Sequence, residues 1–271
     1  MSRQFKAKVI SNTRLNDGVF LLVLRPLSET FTPYPGQFYM IGQSGATLKD
    51  PLLKRPFSCM DYKDGLLYLL IKVRGKLTAI LRDYTAGNVL ELIGPLGNGF
   101  PAVGSNERLI VAAGGIGIAS VLMLMKAYPQ AVLFYGVRSD SDLFVDILPK
   151  RAEVYITSDD GTVGLKGSVL QMLKQYLSSA TDDVKLYACG PHTMTEQLCR
   201  MFSERGRRCR VSSETSMDVL PKIDAYVSIE ERMACGVATC LGCTVDTVNG
   251  YRLVCKDGPV FNVNDVILPQ T

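Results

Sequence analysis

Four cysteines near the C-terminal end, Cys235, Cys240, Cys243 and Cys255, are spaced C-x4-C-x2-C and then, eleven residues further on, C. Thiolates ligate soft metals, and the spacing of the first three is that of plant-type proteins carrying a two-iron, two-sulfur (2Fe–2S) cluster. A structural zinc site usually takes two C-x2-C pairs, and here only Cys240 and Cys243 form one. Zinc and unrelated thiols stand as the competing readings. Gly236 and Gly242 lie beside ligand positions, where a close backbone approach lets N–H groups reach the sulfurs. A chain with such a cluster moves single electrons.

Two further segments carry groups suited to phosphate. In Arg55-Pro56-Phe57-Ser58 an arginine and a serine flank a strand start and can hold a pyrophosphate by charge-assisted hydrogen bonds. Alone, this tetrapeptide is a weak signal, since most such matches are surface turns. In Gly75-Lys76-Leu77-Thr78 a glycine opens a turn and Thr78 sits near a helix start, a place favourable to phosphate. Together they resemble the flavin site of the ferredoxin–NAD(P) reductase superfamily.

Ala113-Gly114-Gly115-Ile116-Gly117 follows a strand pattern and opens a helix pattern, so Gly114, Gly115 and Gly117 are candidates for close approach to a dinucleotide phosphate. Cys189-Gly190-Pro191 ends a later strand. In the superfamily just named that position faces a nicotinamide ring; the alternative is a buried thiol. Asp159 and Asp160 follow a third strand, where acidic groups repel a 2′-phosphate and favour NAD over NADP, a plain turn being the alternative. His192, the one histidine, reads as a surface group at a helix start. No nucleophile, base and acid stand together, which suits chemistry done by cofactors.

The elements that position these residues change along the chain. Short strand patterns at Phe5–Ile10, Val19–Leu24, Gln37–Ile41, Phe57–Tyr62, Leu66–Val73 and Val89–Ile93, with a short helix at Leu77–Tyr84, predict a small antiparallel barrel. From Pro101, apolar strands (Leu109–Ala113, Ala131–Tyr135, Glu153–Thr157, Lys185–Ala188, Arg208–Ser212) alternate with helices at about 118–127, 168–177 and 193–204. That alternation predicts a parallel sheet covered on both faces. The fold class is therefore multidomain, β plus α/β: a barrel over 1–101, an α/β nucleotide-binding domain over 102–216 and a small cluster module over 217–271. The module has too little core to stand alone, so a metal centre would stabilise it.

With 271 residues, 47% hydrophobic and a net charge of +4, the composition gives no basic face for nucleic acid. The basic run Arg205, Arg207, Arg208 and Arg210 reads as a solvated helix end. No apolar run reaches the length of a membrane span and no secretory pattern opens the chain, so a cytoplasmic protein with reduced thiols is expected.

Taken together the constellations resemble the electron-transfer subunits of NAD-dependent dihydroorotate dehydrogenase B, over nearly the whole chain. The most specific stretch runs from Glu230-Glu231-Arg232-Met233-Ala234-Cys235-Gly236 through Cys240-Leu241-Gly242-Cys243 to Val254-Cys255-Lys256-Asp257-Gly258-Pro259-Val260-Phe261. Pro35-Gly36-Gln37-Phe38 and Gly94-Pro95-Leu96-Gly97-Asn98-Gly99-Phe100 fit the same family. The resemblance implies FAD contacts from Arg55, Pro56, Phe57, Ser58, Leu70, Ile71, Lys72, Leu77 and Thr78, cluster ligation by the four cysteines, and Cys189 at the nicotinamide. It implies electrons from the FMN of a dihydroorotate-oxidising catalytic subunit, through a 2Fe–2S cluster and FAD, to NAD+ in pyrimidine synthesis, in a heterotetramer of two copies of each subunit. The alternative is a flavin and iron–sulfur NAD(P)H reductase subunit serving a ferredoxin, sulfide or hydrogenase system; a zinc-stabilised or redox-sensing binding protein is the reading from another class. Two positions depart from the family pattern, Leu77 and Ala238, where glycine is usual.

Overall fold

Alternation along the first strand sets the first sheet. In β1 (Arg3–Arg14), Phe5, Ala7 and Val9 are buried while Lys6 and Lys8 are exposed, as period-two side-chain alternation dictates. The computed structural model describes residues 3–45, 50–208 and 222–267, apart from the side chains of 203–208. β1 is followed by β2 (Val19–Pro26), β3 (Phe38–Gln43), β4 (Arg55–Ser58), β5 (Asp61–Lys63), β6 (Leu66–Lys72), helix α1 (Lys76–Arg82) and β7 (Val89–Leu96). The antiparallel sheet runs β4-β3-β7-β1-β2-β6-β5. Its two edges are consecutive in the chain, so it curls into a half-barrel. Phe20, Leu22, Leu69 and Ile71 fill the inside, and Leu77 and Leu81 of α1 pack into the same core.

One expected strand, Phe57–Tyr62, is two. Cys59 N–H donates to the Gln37 carbonyl (2.9 Å), whereas Met60 N–H donates to the Tyr68 carbonyl (3.1 Å). The chain changes partners between these residues, from β3 on one side to β6 on the other.

The second sheet is built from β8 (Arg108–Gly114), β9 (Val132–Val137), β10 (Glu153–Ser158), β11 (Leu165–Lys166), β12 (Val184–Cys189), β13 (Ile223–Ser228) and, after the β14 (Thr244–Thr247) and β15 (Gly250–Leu253) hairpin, β16 (Val260–Asn262). Its order is β11-β10-β9-β8-β12-β13-β16, parallel except for the antiparallel β16. Helix α2 (Ile118–Ala127) covers one face; α3 (Val169–Ser178) and α4 (His192–Arg208) cover the other. The side chain of Ser168 caps α3 by accepting the Leu170 N–H at 3.2 Å.

β13 and β16 come from the segment read from sequence as the cluster module, yet they extend the parallel sheet. Of the expected strand Arg208–Ser212, Arg208 closes α4 and the rest lies outside the described residues. So do the boundary between 216 and 217, Cys209, Arg210 and the side chains of Arg205, Arg207 and Arg208. Among the described residues no helix is long and apolar enough to cross a membrane.

Candidate functional site

Cys235, Cys240 and Cys243 lie on the loop between β13 and β14, and Cys255 follows β15. The Cys235 sulfur accepts N–H groups from Val237, Thr239 and Cys240, each at 3.4 Å. Ala238 N–H reaches the Cys255 sulfur at 3.3 Å, and Cys255 N–H reaches Cys243 at 3.5 Å. Burial pushes the Cys235 thiol up, but the backbone donors outweigh it and hold the group at about 7. Burial and the neighbouring Cys243 push Cys255 up to about 12, so a metal bound there displaces a proton.

Backbone hydrogen bonds join the four cysteines as two pairs, Cys240 N–H to the Cys235 sulfur and Cys255 N–H to the Cys243 sulfur. Among the described residues no three His, Cys, Asp or Glu side chains converge on one metal ion. Two soft pairs ringed by N–H donors fit two irons with two ligands each better than one tetrahedral zinc. Ala238 (φ 64°) and Leu241 (φ 56°) are held in the left-handed region, and the Ala238 amide points at the Cys255 sulfur. The family's glycine at position 238 thus has a physical reason, and alanine there is strained.

The Gly94–Phe100 segment fastens this loop to the half-barrel. Asn98 N–H donates to the Gly258 carbonyl (2.6 Å) and its Nδ2 to the Asp257 carbonyl (3.0 Å). Phe38, Met40 and Leu96 share one apolar core with Met233, Val254 and Cys255. A cleft of about 1010 Å³ opens beside the loop, bounded by Tyr34, Gln37, Gly97, Val237, Ala238 and Cys255. Val237, Leu241 and Tyr251 are exposed nearby in sequence to the cysteines.

The segment Arg55–Ser58 and residues Leu70–Lys72 form two strand edges. β4 pairs only with β3, and β5 covers β6 only at Leu66–Tyr68. The open edges of β4 and β6 approach each other, offering unpaired backbone donors and acceptors to a flat ligand. Leu70 packs into the core under α2 and Ile71 into the half-barrel, so only Lys72 of the three opens into a cleft. Exposed Arg55 donates to the Leu53 (3.0 Å) and Lys54 (3.2 Å) carbonyls. Thr78 acts locally. Its hydroxyl accepts the Arg74 and Gly75 N–H groups at 2.9 and 3.0 Å and fixes that turn. Leu77 is helical and buried, and the missing glycine there causes no strain.

A cleft of about 610 Å³ lies over the ends of the parallel strands, lined by Lys72, Arg74, Gly114, Gly115, Asp159 and Glu230 among others. Such a position suits a nucleotide. Gly115 has φ 49° and open space where a Cβ would stand. A Cβ on Gly117 would meet the Cys189 carbonyl oxygen at 2.4 Å, so glycine lets the turn press against the end of β12. Cys189 is 1% exposed, and burial pushes its thiol up to about 12; it is held as a neutral thiol. Asp160 is spent on Thr162, accepting its N–H at 2.9 Å, while Asp159 faces the cleft. Arg138 is engaged by Asp142 at 2.8 Å. His192 is exposed and pairs with Glu196 at 3.2 Å.

A family model described as the iron–sulfur cluster binding domain of dihydroorotate dehydrogenase B matches residues 230–267. The dihydroorotate dehydrogenase B (NAD(+)) electron transfer subunit of Caldanaerobacter subterraneus subsp. tengcongensis is 32% identical over 98% of this chain and 100% of that one. The chain belongs to this family. Its namesake from Geobacillus thermodenitrificans is 35% identical over 96% of this chain and 97% of that one. In fold, this chain is similar to NADH-dependent reduced ferredoxin–NADP oxidoreductase, with TM-score 0.78 and 22% identity over 96% of this chain and 89% of that one. It is also similar to the FAD- and NADP-bound ferredoxin NADP+ reductase of Neisseria gonorrhoeae, with TM-score 0.63 and 15% identity over 83% and 99% of the two chains.

Two contributions to the sites were not read from sequence, the place of Glu230 in the cleft and the contacts of Ser120. Glu230 opens to solvent yet lines the cleft over the parallel sheet; desolvation by the cleft walls pushes its carboxyl up and Arg74 pulls it back. Ser120, buried in α2, touches both Ser58 and Cys189. Glu230 reaches the cleft because β13 joins the parallel sheet, and Ser120 reaches Ser58 because α2 lies against the half-barrel.

Proposed function

We infer that this chain carries electrons from a dihydroorotate-oxidising, FMN-containing catalytic subunit to NAD+, in a cytoplasmic heterotetramer of two copies of each. The observation that carries the reading is the pairing of four thiols, ringed by backbone N–H groups, within a chain related along its whole length to such subunits. When bound, a 2Fe–2S cluster supplies one-electron transfer, and FAD exchanges single electrons for the hydride that NAD+ accepts.

The chain's own residues then divide the work. Cys235 and Cys240 would hold one iron, and Cys243 and Cys255 the other. The amides of Val237, Ala238 and Thr239 would share charge on the sulfurs. Arg55 to Ser58 and the edge at Leu70 to Lys72 would bind the flavin, with Arg55 on its phosphates and Thr78 fixing the turn at Arg74. Gly114, Gly115 and Gly117 would make room for the nicotinamide dinucleotide, and the neutral Cys189 would close the floor of that site. Asp159 in the cleft, with Arg138 engaged by Asp142, would disfavour a 2′-phosphate and favour NAD. The exposed Val237, Leu241 and Tyr251 would meet the partner.

The test is anaerobic co-purification with the catalytic subunit. The complex is expected to contain FMN, FAD and iron, and to form NADH from dihydroorotate and NAD+. A complex carrying all three that forms no NADH refutes the reading.

A further inference from the structure

Ser120 is the third residue of α2 and 2% exposed. The helix is wedged between the parallel sheet and the half-barrel: its Met123 packs on the barrel core and its Lys126 pairs with Asp61. A serine so placed can satisfy itself on its own helix, by donating to the carbonyl one turn back. This one does not. Its hydroxyl donates to the Ser58 oxygen at 2.8 Å and accepts the Cys189 thiol at 3.3 Å. One buried hydroxyl therefore joins the open edge of the half-barrel to the floor of the nucleotide cleft.

The direction of these bonds matters. A hydroxyl has one hydrogen and two lone pairs. Ser120 spends its hydrogen on Ser58, and Cys189 spends its own on Ser120. The Ser58 oxygen is thus used as an acceptor, and its hydrogen has no acceptor among the described residues. The chain of bonds ends in a donor at the edge of β4, between the open strand edges.

We propose that Ser120 is a positioning residue that fixes Ser58 as a hydrogen-bond donor toward the bound flavin. The inference rests on the flavin reading of Arg55–Ser58. A donor held against the ring bonds its two redox forms unequally, so Ser120 would tune the flavin without touching it.

The test is equilibrium reduction of FAD-loaded protein, with wild type, S120A, S58A and the double variant as a cycle. In S120A the ratio of reduced to oxidised flavin at fixed potential is expected to change roughly three- to tenfold, about 15–30 mV for a two-electron couple. In the S58A background S120A should add nothing. S120C, nearly equal in volume and a weaker donor, should fall between and serves if S120A does not fold. No shift in either variant, or the same shift with and without Ser58, overturns the proposal. A wild-type protein that takes up no FAD overturns the flavin reading itself.

Discussion

Along β12 every residue is buried, and Leu186 and Tyr187 are fully enclosed by the helices and strands around them. On the loop 235–243, Val237, Leu241 and the ligand candidate Cys240 are exposed, and two non-glycine residues sit at positive φ. The sheet gets its backbone geometry from ladder bonds and apolar burial, which act whether or not a cofactor is present. The loop has little burial to oppose its strain. Its fixed points are sulfurs, and its N–H groups point at them. Metal ligation is the interaction that stabilises this second region, so the two should respond differently to every perturbation.

Replacing Cys243 with serine should separate them most. Cluster absorbance is expected to vanish and, with the partner present, NADH formation from dihydroorotate with it, while NADH-dependent dye reduction through the flavin persists. Equal loss of both activities would show that the regions are one cooperative unit. Leu186→Ala attacks the other side. A cavity in the sheet should cost about 2–5 kcal/mol, seen as a lower main melting transition in iron-loaded and chelated protein alike. Arg55→Ala should weaken FAD binding roughly ten- to hundredfold, the worth of about 1.5–3 kcal/mol for charged hydrogen bonds, and leave cluster absorbance unchanged. The smallest effect is expected from Ala238→Gly. Relief of the left-handed strain, about 1 kcal/mol, should slow iron loss to a chelator without moving the main transition.

Much of the architecture was legible because burial writes itself as a period. β1 alternates, β8 is a continuous apolar run after Arg108, and the glycine turn after β8 marks the strand-to-helix corner. The four cysteines stand out as ligand candidates by spacing alone. What sequence did not carry was long-range pairing. β13 and β16 belong to a sheet whose other strands lie far back in the chain, and β16 is three residues long. The split at Cys59 and Met60 depends on Gln37 and Tyr68, which no local pattern announces. The roles of Asn98 and Ser120 are likewise set by segments distant in sequence.

On this reading the thiol loop is the entry for electrons and the two sheets are the exit. Rapid mixing of dihydroorotate with the anaerobic complex, followed by cluster absorbance and NADH absorbance together, tests it most directly. The cluster signal is expected to change before NADH accumulates, and a complex carrying Cys243→Ser is expected to form no NADH from dihydroorotate. Undiminished NADH formation by the cluster-free complex would contradict it.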